Sequence, residues 1–266
     1  MREGSTMSVS EERTFLHSRH YLHLGCVVLL CIAALLRFSY LGDADFGLDE
    51  ILHVTVAEQL TQGNSPVLPS GYVYDRSLSF SYFVALAGLL GGVSEYSLRF
   101  PAAIFGVLLV LFVYWVTARW FSPSAGLVAA FLATFSPIEV ALSREVRMYT
   151  LLQLLFLLIL FLFYEGFETS SPANKRREND SLMREWIDNL QIRPPFLVGA
   201  GILFLLAWEI HKLIQPGVAG LLMYLLVMGS GALFVNNLEG YKRLKYVGSA
   251  LCLILGAGVG SILFPE

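Results

Sequence analysis

Three short stretches of this 266-residue chain hold residues whose types and spacing could do chemistry. The first is Gly47-Leu48-Asp49-Glu50-Ile51-Leu52-His53. Asp49 could be a general base, and Glu50 stands beside it. Asp49 and His53 are i, i+4 neighbours, a spacing that could also support a divalent metal. A third reading is structural. Leu52, Val56 and Leu60 recur at i, i+4 and i+8, which predicts a helix over 50–62 ending at Gly63, with Asp49 as its N-cap. The second stretch is Ser143-Arg144-Glu145-Val146-Arg147-Met148-Tyr149. Two guanidiniums suit a phosphate or pyrophosphate, because arginine forms paired, charge-assisted hydrogen bonds. Interfacial anchoring by arginine and tyrosine is the alternative. The third is Trp208-Glu209-Ile210-His211-Lys212, where ionisable residues end an apolar run. Lys212 either meets an anion or snorkels to the membrane surface. Carboxylates combined with cations suit base-assisted attack on a substrate whose leaving group is a phosphate.

The elements that must position these residues are membrane helices. Hydrophobic residues make up 56% of the chain and charged residues 15%, against about 25% charged in a soluble domain. That excludes an ordinary soluble domain, a disordered chain and a disulfide scaffold. It leaves a polytopic, all-α transmembrane bundle. The net charge of -3 argues against nucleic acid as a partner. Cys26, Cys31 and Cys252 all lie in apolar runs and read as buried thiols. Gly256, Gly258 and Gly260 read as helix packing, not as a nucleotide loop. Residues 1–21 are polar, and the apolar stretch after them reads as a first span, not as a cleaved signal.

Apolar segments lie at 22–41, 77–92, 101–119, 124–140, 149–166, 196–214, 217–235 and 246–264. Segment 77–92 is short, and the positive-inside rule decides its fate. If it does not cross and the N-terminus is cytoplasmic, only Arg37, Arg76, Arg99, Arg144, Arg147 and Lys212 face outside. The other 12 of the 18 Lys and Arg then face inside. If it crosses, the count becomes 7 inside to 11 outside. Segment 77–92 is therefore expected to be a juxtamembrane or re-entrant helix, and the chain to have seven spans. One membrane domain over 1–266 would carry a cytoplasmic tail at 1–21, an outer catalytic loop at 42–100 and a cytoplasmic loop at 167–195. Ser181–Leu190 could form a short surface helix in that cytoplasmic loop. All three chemical stretches then share the outer face of the cell membrane.

The order of these features resembles the GT-C superfamily of integral-membrane glycosyltransferases. It is most similar to the protein O-mannosyltransferases and the lipid A aminoarabinose transferases (glycosyltransferase family 39-like). The matching stretches are GLDEILHVTVAEQLTQG, the run from SEYSLRFP to SREVRMYTLL, and LLAWEIHKLIQPG. The resemblance implies an N-terminal seven-span module with juxtamembrane helices in its first outer loop and an outer active site. It implies an inverting transfer of a sugar from a polyprenyl-phosphate donor, drawn from the membrane lipid, to a protein or glycolipid acceptor. By carry-over Asp49 would be the catalytic base with Glu50 beside it, and Glu145 the acid of the second outer loop. Arg144, Arg147 and Lys212 would meet the donor phosphate, while Tyr149, His53 and His211 are further candidates. The sequence demands no cofactor, and a divalent metal stays open.

Relatives of this kind usually continue into further spans and a soluble domain. A truncated copy, a fragment of a split gene and a minimal module are the alternative readings, and the second of these would give the chain a separately encoded C-terminal half as partner. Two readings from other classes remain beside the enzyme: a transporter or flippase of a lipid-linked sugar, and an inactive assembly subunit of a split glycosyltransferase. A transporter would show broken helices and polar residues at membrane depth, and the sequence pattern shows neither.

Overall fold

A computed structural model describes residues 9–168, 192–234 and 254, with the side chains of 22–168, 192–225 and 254. The described part is helical, without a strand beyond one isolated bridge between Val67 and Val73. The helices are α1 (Val9–Phe38), α2 (Leu48–Thr61), α3 (Leu78–Gly91), α4 (Glu95–Trp120), α5 (Pro123–Phe135), α6 (Pro137–Leu142), α7 (Tyr149–Phe167), α8 (Pro194–Ile210) and α9 (Ile214–Phe234). The expected span at 246–264 and the surface helix at Ser181–Leu190 lie outside the described residues.

The chain divides into two units. One comprises 1–73 and 81–154. Its core forms where α1, α4 and α5 pack together, around Cys26, Ala33, Val110, Tyr114 and Ala130. Cys26 is buried as expected, whereas Cys31 is exposed among the apolar residues of the helix surface. The outward faces stay apolar, with Leu111, Val128, Phe131 and Leu132 exposed. That suits a bundle solvated by lipid instead of water. The other unit comprises 74–80 and 155–266, and gathers Phe163, Phe167, Leu197 and Leu225.

Among the described residues, α4 and α7 are long and apolar enough to cross a membrane, at 26 and 19 residues. The described apolar parts of α1, α3, α5, α8 and α9 are shorter. The structure corrects the sequence reading of 124–140 as one continuous span. The helix breaks at Ser136, and a new one starts at Pro137. The local chemistry explains it. Ser136 is extended and its side chain accepts from Glu139 N, while proline at the first helical position needs no donor. A broken helix, which the apolar pattern concealed, is thus present.

Helix α3 has 14 residues, or about 21 Å at 1.5 Å per residue, against a hydrocarbon core of about 30 Å. It is too short to cross upright. In a chain freed of Cys26, Cys31 and Cys252, we expect single cysteines at Ser70 and Val93, both exposed, to react with an impermeant thiol reagent added outside. Opposite sidedness of the two would make α3 a span. Labelling of both from the cytoplasm would reverse the expected orientation.

Candidate functional site

The site is built on a short helix anchored from beneath. Helix α2 starts at Leu48, with Gly47 as its N-cap. Glycine offers no side chain for capping, so the Glu50 carboxylate reaches back and accepts the Gly47 amide at 2.8 Å. Asp49 is therefore the second residue of the helix and not its N-cap, which corrects the structural reading of that residue. With the capping task taken by Glu50, the Asp49 side chain is 85% exposed.

Glu50 is buried and saturated. Its Oε1 accepts from Arg99 Nε at 2.9 Å and from the Val146 amide at 2.7 Å. Its Oε2 accepts from Arg99 Nη2 at 2.7 Å as well as from Gly47. A carboxylate has about four acceptor positions, and all are used. Arg99 is equally committed. Besides Glu50 it donates to the carbonyls of Leu41, Ala44 and Asp45. Its guanidinium also lies over the Phe46 ring, 5.2 Å from the centroid. Gly42 permits the loop to lie this close to α4, since a Cβ there would sit 3.0 Å from Tyr96 Cβ and 3.1 Å from its amide nitrogen. One ion pair thus joins the 41–47 loop, α2, α4 and the 143–148 loop. Burial pushes the Glu50 carboxyl up, but the Arg99 hydrogen bonds and the two backbone amides outweigh it and hold it below the usual carboxylate range.

The arginines of the second stretch divide their tasks. Arg144 turns toward the end of α1 and donates to the carbonyls of Leu36 at 3.0 Å, Ser39 at 2.6 Å and Tyr40 at 3.0 Å. The Leu36 carbonyl is one that a helix C-terminus leaves without a partner, and Ser39 and Tyr40 follow just beyond the helix, so Arg144 acts there as a cap. Arg147 turns toward α2. Its Nη1 donates to the Asp49 carbonyl at 2.9 Å and lies 3.5 Å from the Asp49 carboxylate. Its Nη2 donates to Tyr149 Oη at 2.6 Å, and the guanidinium lies over the Tyr149 ring. Glu145 is exposed, and its carbonyl accepts the Arg147 amide at 2.7 Å. His53 is buried on α2, one turn after Asp49. The structure therefore brings together Asp49, Glu50, Arg147, Glu145 and Tyr149, and directs Arg144 elsewhere. Among the described residues, no group of three or more His, Cys, Asp or Glu side chains could hold a metal ion.

The third stretch belongs to the other unit. There Glu209 accepts from the Ser79 amide at 3.4 Å, and the Ile210 carbonyl accepts from the Ser77 hydroxyl. His211 ends α8 and accepts the Leu213 amide on Nδ1 at 3.0 Å. Lys212 is half-buried in the turn before α9.

Removing one partner of a buried ion pair costs about 3–5 kcal/mol, because the other is left buried and charged. Arg99→Met should therefore lower stability by about 3 kcal/mol or more, read as a large drop in thermal midpoint in detergent. Asp49→Asn should stay within about 1 kcal/mol, since exposed ion pairs contribute little. The pH dependence follows from Glu50. Its folded carboxyl titrates below its unfolded value of about 4.3, so its stabilisation is complete above that pH and is lost as pH falls through the folded value. Arg99→Met should flatten this acid limb.

Residues 75–174 match a family model described as dolichyl-phosphate-mannose-protein mannosyltransferase. No curated protein and no solved structure matches the chain. The matched stretch holds Arg99, Arg144, Glu145, Arg147 and Tyr149, while Asp49, Glu50 and Lys212 fall outside it. Together with the apolar helices, the match supports a helical membrane protein that is similar, over this stretch, to membrane mannosyltransferases.

Proposed function

We propose that the chain is a membrane glycosyltransferase that moves a sugar from a polyprenyl-phosphate donor to an acceptor hydroxyl at the outer membrane surface. The observation that carries this reading is one juxtaposition. An exposed carboxylate, Asp49, stands at the start of a rigidly anchored helix, 3.5 Å from the guanidinium of Arg147. Base and cation are side by side, yet the base remains open to solvent. Similarity to mannosyltransferases over 75–174 supports the same class.

In the proposed step Asp49 takes the proton of the acceptor hydroxyl. The hydroxyl oxygen bonds to the anomeric carbon from the face opposite the phosphate, and the carbon–oxygen bond to the phosphate breaks. The bond pair leaves with the lipid phosphate, and configuration at the anomeric carbon inverts. Arg147 meets the charge gathering on the departing phosphate, the role that the family resemblance also implies for Lys212. Glu50 serves by orienting the first turn of α2, since its four acceptor positions are already filled. Tyr149 steadies Arg147 through its hydroxyl. Glu145 remains a candidate for a contact to the acceptor or the sugar.

A transporter of lipid-linked sugar is the second reading, favoured by the break at Ser136-Pro137. Transporters use the ends of broken helices to hold substrate. Here the Ala133 carbonyl freed by the break already accepts from Arg37, at 3.1 Å. The break offers that carbonyl to the protein, so the enzyme remains the better reading.

The test is sugar transfer in nanodiscs, with and without a candidate C-terminal partner chain. Loss of a positioned base costs about 10²–10⁴-fold, and we expect that loss for Asp49→Asn, with an unchanged thermal midpoint. Wild-type turnover in this variant would remove Asp49 from the reaction. Lys212→Gln should raise donor KM or lower turnover about tenfold, the effect of losing one charge-assisted hydrogen bond. Lys212→Arg should recover only part, because reach and geometry differ. Altered stability with unchanged donor kinetics would make Lys212 a membrane anchor.

A further inference from the structure

Arg37 is the largest fully buried side chain described, at 0% exposure in the last turn of a membrane helix. Placing an arginine there is costly unless its hydrogen bonds are specific. In a continuous helix the carbonyl of Ala133 would accept from the amide of residue 137. Residue 137 is proline and has no N–H. Arg37 Nη2 fills that place, donating to Ala133 O at 3.1 Å across 96 residues of sequence. Its Nη1 donates to its own Ala33 carbonyl at 3.4 Å.

Two further features converge at this point. Gly106 of α4 leaves the space: a Cβ there would sit 2.9 Å from Arg37 Nε and 2.6 Å from Ser143 Cβ. Glu139, in the first turn after the break, acts on Arg37 through its charge without forming an ion pair with it. Its Oε1 accepts from Gln153 Nε2 on α7 at 3.0 Å. Arg37 thus ties α1 to the end of α5 at the break, and the Glu139–Gln153 hydrogen bond ties α6 to α7. The 143–148 loop runs between α6 and α7, with Ser143 buried against the same Gly106.

We propose that Arg37, together with Glu139 and Gln153, is a positioning group for the 143–148 loop, supplying the hydrogen bond that Pro137 cannot make and so fixing where Arg147 stands. The part played by Arg147 in transfer rests on the function proposed above; the fixing of the loop does not. Arg144 reinforces the arrangement from the opposite direction, since it leaves this loop to cap the helix that carries Arg37.

The experiment is amide hydrogen exchange on the full chain in nanodiscs. Helix α2 is the internal control, because Arg99 holds it from α4 through two hydrogen bonds besides those it shares with the loop. In Arg37→Gln, exchange across 137–148 should accelerate about tenfold, as expected when one charge-assisted hydrogen bond is lost locally. Exchange across 50–61 should change less than about twofold. Arg37→Lys keeps the charge and one donor toward Ala133, so it should fold and show an intermediate acceleration; if Arg37→Gln does not fold, this variant decides alone. Unchanged exchange at 137–148, or equal acceleration in both segments, would overturn the proposal. Donor kinetics give a second readout. If sugar transfer is observed, Arg37→Lys should raise donor KM more than it lowers kcat, because a displaced Arg147 loses donor binding first. If wild-type chain transfers no sugar, the functional reading falls, and the exchange data still judge the loop.

Discussion

The described site depends on one buried ion pair, Glu50 with Arg99. A glutamate on a short polar helix and an arginine at the head of a membrane-length helix lie 49 residues apart, and neither is stable in its place alone. Paired, they use every acceptor of the carboxylate and every donor direction of the guanidinium. Backbone groups of two loops complete the set. The loops are thereby shaped without strands, disulfides or a hydrophobic core of their own. The pair's effect is on geometry more than on net stability, since desolvation consumes much of the electrostatic gain.

This geometry explains why neighbouring residues of similar chemistry do different things. Asp49 and Glu50 are adjacent on a helix and so point about 100° apart. One faces the interior and is consumed by structure; the other faces outward with its charge available. Arg144 and Arg147 are separated by two residues, and the turns between them send one to the end of α1 and the other to the start of α2. Like residues become unlike groups through the direction in which the backbone aims them.

Much of this was legible in sequence. The described apolar segments are helical, one of them broken at Ser136, and Gly63 marked the end of α2, since it takes a left-handed φ of 75° there. The first two chemical stretches meet where Arg147 reaches Asp49, whereas Arg99, which makes the most hydrogen bonds there, lies in none of the three. What escaped notice has specific causes. The Asp49 reading missed a glycine N-cap, because Glu50 performs that task from within the helix. Ser136-Pro137-Ile138-Glu139 carries a helix-start signal of N-cap, proline and early acid. It was hidden because it falls inside an otherwise apolar run. Arg37 and Arg99 entered the sequence reading only as outward-facing charges, and only long-range pairing reveals what each holds. Such pairing across 49 or 96 residues has no local signature.

The break at Ser136 also divides a dipole. A single helix from Pro123 to Leu142 would have one partial positive end and one partial negative end, both near the membrane surfaces. Two shorter helices instead place a negative C-terminus and a positive N-terminus against each other within the bundle. Arg37 sits at the negative end of α5, and Glu139 in the first turn of α6 at the positive one. Each charge therefore meets the half-dipole of opposite sign, so the pair neutralises a field that the break itself creates. Exchanging the two charges would oppose both helix ends, even though the net charge of the segment would not change.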